Sequence, residues 1–140
     1  MSLTDTNLCR NCGLAEETIE HLFFYCEKVT EFLSKIQTWI GVSSDITFNF
    51  KLEEVLLGKV ERIDHSHSIN ILLLLLKHYI FEASRLGTNF NIPTFFGKIK
   101  RVYAEQEYLA SINLQEQKFK KKWSFIYNLI QTYFISNDIH

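Results

Sequence analysis

Proline is almost missing from this chain, with one in 140 residues, and glycine is scarce at five. Flexible linkers and low-complexity tails draw on these two residues, so little of the chain is expected to be either. Cysteine numbers three, and an odd count does not suit a disulfide framework. Reduced thiols and an intracellular setting, nucleus or cytoplasm, are the expectation. Long hydrophobic runs are lacking too: Ile71–Leu76 spans six apolar residues before Lys77 and His78 interrupt it, against roughly 20 for a membrane span. The opening Met-Ser-Leu-Thr-Asp has neither the basic nor the apolar region of a signal peptide. A soluble protein without a membrane partner follows.

Catalytic patterns are equally thin. The only aspartates are Asp5, Asp45, Asp64 and Asp138, with no pair placed to hold two metal ions. There is no Gly-rich phosphate loop, and no Ser/His/Asp or Cys/His arrangement to build a nucleophile. By itself the chain is not expected to be an enzyme or to take a small-molecule substrate.

What is present is apolar and aromatic: 46% hydrophobic residues, 12 Phe, 6 Tyr and 2 Trp. A chain this long buries roughly two-thirds of its unfolded surface, enough for an independent core. Net charge is −1, unevenly spread. Residues 1–64 carry 6 Lys/Arg against 11 Asp/Glu, and residues 65–140 carry 9 against 5. A phosphate-binding surface is therefore expected in the second half.

All three cysteines fall in one short window. Cys9, Cys12, His21 and Cys26 form a Cys-x2-Cys-x8-His-x4-Cys array that runs into an amphipathic pattern. Cys9-Arg-Asn-Cys12-Gly13 reads as a metal knuckle, with Gly13 free to take positive φ in the turn. Three thiolates and an imidazole are zinc ligands, and four protein ligands close the tetrahedron, so a structural Zn2+ is expected. The competing reading is a redox pair of Cys9 and Cys12, with Cys26 in the core and His21 on the surface. A redox pair usually follows a strand, and no strand pattern precedes this one.

Glu16, Glu17 and Thr18 open a short helix through about Tyr25. His21 and Cys26 are five apart, about 140° around an ideal helix, too wide for one face. A break near Tyr25 or Cys26 is predicted. From Glu27, Val29, Phe32, Leu33, Ile36, Trp39 and Ile40 make one apolar stripe, ended by Gly41. Ser43–Phe50 alternates as an extended segment would, and Leu52–Leu57 reads as a helical turn or two closed by Gly58. A helix capped by Ser66 or Ser68 runs to Leu86 and Gly87. Its apolar middle predicts burial on most sides. Pro93 starts a further helix with Phe95, Phe96, Ile99, Val102, Tyr103 and Leu109 inward. The last, about Gln115 to Ile135, buries Phe119, Trp123, Ile126, Tyr127, Ile130 and Phe134. The fold class is thus mostly α: a small CCHC zinc knuckle followed by a helical bundle, with at most one short extended segment. Residues 1–41 form the knuckle and its helix, and residues 42–140 a helical body packed on it as a single unit.

His65 and His67 read as exposed residues near a helix start rather than a second metal site, and His78 as a core or edge histidine. Lys98, Lys100 and Arg101, with Lys118, Lys120, Lys121 and Lys122, could follow a phosphate backbone with aromatics stacking on bases. Equally, they could be a solvated face over a packed helix.

Glu17-Thr18-Ile19-Glu20-His21-Leu22-Phe23-Phe24-Tyr25-Cys26, the preceding Cys9/Cys12 pair and Trp39 on the next helix carry a resemblance. Together they resemble the zinc-binding segment that follows the polymerase domain in non-LTR, LINE-type retrotransposon reverse transcriptases. Lys77, Tyr79 and Ile80, then Pro93 and Phe96, Glu105 to Leu109, and Lys118 to Trp123 are similar, more loosely, to the tail of vertebrate elements of this kind. The resemblance implies a non-catalytic accessory module from the C-terminal part of such a protein, or a cellular remnant of one. Its implied partners are RNA, single-stranded or target DNA, and the polymerase body. The alternative is a zinc-stabilised protein-interaction scaffold that binds no nucleic acid, which the near-neutral net charge favours.

Overall fold

A computed structural model describes residues 8–44, 49–57 and 66–138 of the chain. The described residues are mostly helical, with no strand beyond one antiparallel bridge between Leu8 and Glu16. After the knuckle comes a π turn (His21–Tyr25), then α1 (Glu27–Ser44), α2 (Leu52–Leu57), α3 (Ser66–Leu86), α4 (Ile92–Ile112) and α5 (Glu116–Asp138).

The stripe expected on α1 is the stripe that is buried, apart from the half-buried Trp39: Val29, Phe32, Leu33, Ile36 and Ile40 face the core. Phe32 stacks among Tyr79, Phe90 and Phe95, which ties α1 to α3 and to the start of α4. Trp39 donates its indole N–H to the Leu129 carbonyl at 3.0 Å and meets Tyr133 edge-on, which ties α1 to α5. Helices α4 and α5 run antiparallel: Phe96 pairs with Tyr133, while Tyr103 meets Phe119 and Trp123. Ser68 does not cap α3 from solvent. It is buried, and its hydroxyl donates to the Lys122 carbonyl at 2.7 Å, joining α3 to α5.

Start and stop signals mostly hold. Asn91 caps α4 by accepting from the Thr94 amide, Pro93 lies in the first turn, and Gly87 ends α3 at φ +73°. Gly41 does not stop α1, which continues to Ser44. Glycine inside a helix costs only about 1 kcal/mol, and Ser43 bonds back to the Trp39 carbonyl at 2.8 Å. The extended reading of Ser43–Phe50 therefore fails at Ser43 and Ser44, while 45–48 lie outside the described residues. Asn49 and Phe50 are non-helical, and Phe50 is buried with its amide on the Gln37 side chain at 2.6 Å. Gly58, His65 and the His67 side chain also lie outside the described residues.

Burial departs from the sequence reading at three places. Leu109 is 47% exposed, since no described element covers its side of α4. On α5, Tyr127 is 40% exposed while Phe125 and Leu129 are buried. Contacts with α1, α3 and α4 widen the buried arc of that helix to about 160° of the 100°-per-residue wheel. Finally, α3 is not enclosed all round: Leu74 and Phe81 are 59% and 49% exposed, opposite the buried Leu72, Leu73, Leu76 and Ile80. His78, on that open side, is an exposed residue 3.7 Å from Glu82 rather than a core one. No described helix is long and apolar enough to cross a membrane.

Candidate metal centre

The knuckle is built by backbone hydrogen bonds. The Cys9 amide bonds the Ala15 carbonyl and the Gly13 amide returns to the Cys9 carbonyl, both at 2.8 Å. Gly13 sits at φ +66°, the left-handed region where a side chain would be strained. This tight loop aims two amides at sulfur: Asn11 at Cys9 Sγ (3.4 Å) and Leu14 at Cys12 Sγ (3.5 Å).

The second half of the array solves the five-residue spacing in a way the periodicity argument missed. The helical turn starts at Ile19, two residues after the acidic pair, with Thr18 Oγ1 accepting the His21 amide at 3.0 Å. Over His21–Tyr25 the helix widens, and the Cys26 amide bonds the His21 carbonyl at 2.8 Å, an i→i+5 bond. Such winding brings the fifth residue back toward the direction of the first. The predicted break then follows: Cys26 leaves the helical region at ψ 132°, and its carbonyl accepts the first α1 bond from Thr30. Single π turns are rare and concentrate at functional sites.

Together these devices converge the side chains of Cys9, Cys12, His21 and Cys26, whose ligand atoms all lie within 4.8 Å of one another. Cys9 and Cys26 sulfurs are 3.8 Å apart, and Cys12 Sγ is 3.3 Å from His21 Nε2. A disulfide needs about 2.05 Å, so these are free thiols. A metal–sulfur bond of about 2.3 Å gives a tetrahedral sulfur–sulfur edge of about 3.8 Å, which matches the Cys9–Cys26 separation.

Electrostatics within the cluster are divided. The Leu14 amide, with help from His21, lowers the Cys12 thiol to about 7. Burial raises the Cys26 thiol to about 11, against the opposing pull of the Lys28 and Val29 amides at the start of α1. A fully enclosed thiolate needs a compensating positive charge, and a divalent cation held by these four residues would supply it. The donor set and its spacing fit a metal ion.

Sequence reasoning overlooked the brace around the knuckle. Arg10, between the two knuckle cysteines, makes a two-pronged ion pair with Glu17 at 2.8 and 2.9 Å, and Glu17 also accepts the Arg10 amide at 3.0 Å. Arg10 holds the Glu17 carboxyl below its ordinary range. Asn11 donates to the buried Ser84 hydroxyl at 2.8 Å, anchoring the knuckle to α3. No pattern of spacing announces either contact.

The seven candidate phosphate-binding cations are placed differently from one another. Lys98 is half-buried and bonded to Glu82 at 2.7 Å. Lys100 lies over the Phe134 ring at 5.0 Å, and Arg101 is exposed. Lys118, Lys120, Lys121 and Lys122 are all exposed on the first turns of α5. Because Lys100 meets α5 at Phe134, the two groups are about 20 Å apart along that helix at 1.5 Å per residue. They do not form one patch, and Phe119 and Trp123, interleaved with the lysines, are core residues.

Compared with protein-family models, with curated proteins and with solved structures, the chain matches none of them.

Proposed function

We propose that Cys9, Cys12, His21 and Cys26 hold a structural zinc ion, and that the chain is a non-catalytic, intracellular accessory module that binds RNA or single-stranded DNA. It would then descend from the C-terminal region of a LINE-type retrotransposon reverse transcriptase. The observation that carries the zinc assignment is the convergence of four donor atoms within 4.8 Å from three separate local devices. Four protein ligands leave no open coordination position, which suits a structural rather than a catalytic ion. The nucleic-acid half is supported by the exposed lysines of α5 and the string from Glu17 to Cys26 quoted above.

Metal content after purification without added zinc tests the first part. About one zinc per chain is expected, and near-zero zinc in a folded protein rejects it. Fluorescence anisotropy with single-stranded RNA over a salt series tests the second. Binding that falls steeply with salt, and falls less steeply after Lys120, Lys121 and Lys122 are changed to Ala, supports it. No binding at low salt rejects it.

A second reading has its own support. Tyr108, Leu109, Ile112 and Leu114 are all exposed near the α4–α5 turn, and Leu74 and Phe81 on α3. Apolar groups clustered on a surface favour a protein-docking scaffold, for instance against a polymerase body.

A further inference from the structure

A groove separates the knuckle, the first half of α1 and the segment that joins α3 to α4, enclosing a cavity of about 480 Å³. Its walls carry Arg10, Lys28, Lys35 and one carboxylate, Glu31, and Arg10 is paired with Glu17, which leaves an excess of one positive charge. All three cations come from the acidic half of the chain, where charge counting alone placed no phosphate site. Lys28, Glu31 and Lys35 follow one another along one face of α1. Lys35 pairs with Glu31 at 3.3 Å with both side chains largely in solvent, so the pair is weak and easily exchanged for a ligand. Arg10 is held by Glu17 through Nε and Nη2, which fixes its plane, and Nη1 has no partner among the described residues. Phe90 also lines the groove, packed against Phe32 at 5.7 Å and still partly exposed. Asn89, beside it, is exposed and adds a polar edge.

Cationic side chains and a supported aromatic ring lining one groove are the chemistry that takes a phosphate joined to a flat base. We infer that this groove binds nucleotide units of a single-stranded nucleic acid, with Lys28, Lys35 and Arg10 on phosphate and Phe90 stacked on a base. The inference rests on the nucleic-acid reading above and relocates its principal contact from α5 to the face beside the metal centre.

The test uses the full zinc-loaded chain and a short fluorescein-labelled oligothymidylate, read by anisotropy over a salt series. AMP and inorganic phosphate, followed by amide shifts in NMR, serve as the separate sources of the same chemistry. The Lys28→Ala/Lys35→Ala double variant is expected to bind about tenfold more weakly, with a salt slope lower by about 1.4. Phe90→Leu should weaken binding about tenfold with the slope unchanged. Since Phe90 also packs on Phe32, Asn89→Asp provides a variant that leaves the core alone. It puts a negative charge on the exposed rim and should weaken binding while the thermal midpoint stays put. AMP should shift the Asn89 and Phe90 amides more than phosphate does. A strand that binds much more tightly than AMP identifies the strand as the source. AMP binding as tight as the strand would overturn the strand assignment. Equal shifts with AMP and phosphate would overturn the stacking. If the groove variants bind as the parent does while the Ala variant of Lys118, Lys120, Lys121 and Lys122 does not, the groove is wrong and the nucleic-acid reading survives. Failure of the parent chain to bind any single strand at low salt removes both.

Discussion

If Cys9, Cys12, His21 and Cys26 hold zinc as proposed, stripping it is the perturbation with the largest consequence. Cys26 is fully enclosed and Cys9 is 2% exposed, and both belong to the same buried cluster as Val29, Phe32 and Ile36. Structural zinc in small sites contributes on the order of 10 kcal/mol or more. A 140-residue protein has a total stability of roughly 7–20 kcal/mol at 0.05–0.15 per residue. Removing the ion therefore takes away an amount comparable to the whole. The loss should be local first. Between Cys9 and Cys26 the backbone is held by few hydrogen bonds, those closing the knuckle and the π turn. Helices α4 and α5 also share an aromatic group, Tyr103, Phe119 and Trp123, that includes none of the four Cys and His side chains. Chelator-treated protein should thus lose amide-exchange protection over residues 9–26 and the start of α1. It should keep most of its helical circular dichroism and the Trp39 environment, and melt at a clearly lower temperature. Hydrogen exchange followed by mass spectrometry, with and without chelator, reads this directly. Equal protection of residues 9–26 in the two samples would refute the reasoning, because the thiols would then be ordinary core residues.

Other consequences are smaller and can be measured separately. Leu72→Ala on the buried side of α3 should cost about 2–5 kcal/mol in urea unfolding, and Leu74→Ala on its open side less than about 0.5 kcal/mol. Equal costs would mean that Leu74 is covered in solution. Trp39→Phe removes the indole donor to the Leu129 carbonyl, which keeps its helical partner, and should cost about 0.5–1.5 kcal/mol; a neutral result would show that the indole bond adds nothing to the fold. Asn91→Ala removes the α4 cap and should lower stability by about 1 kcal/mol, with Asn91→Asp close to neutral. Glu17 has its folded pKa held below the ordinary 4.5, chiefly by Arg10. The group therefore adds stability above about 4.5 that is lost as pH falls through the folded value. The stability gap between parent and Glu17→Gln should be constant near neutrality and close on acidification below that point; a gap that widens in acid contradicts the ion pair.

Local periodicity and capping chemistry made most of the helices readable. The α1 stripe from Val29 to Ile40, the Gly87 stop, Asn91 followed by Pro93, and the ligand array itself depend on residues within a few positions of one another. A chain of amino acids displays such relations directly. The helical body and the four ligands of the centre belong to this class.

What the linear pattern concealed depends on which segments meet. Periodicity showed that His21 and Cys26 conflict on an α-helix, but only the folded chain chose a π turn with a break after it. The arc buried on α5 is set by three neighbours at once, so Phe125 and Leu129 went unnoticed and Tyr127 was placed inside. Leu74 and Phe81 are as apolar as Leu72, and only the lack of a described element against that side of α3 separates them. Arg10 with Glu17, Asn11 with Ser84, and the meeting of Lys28 and Lys35 with Phe90 join residues whose separation carries no period. Short-range geometry is written along the chain, while burial and charge pairing arise from packing distant segments together, and that information exists only in three dimensions.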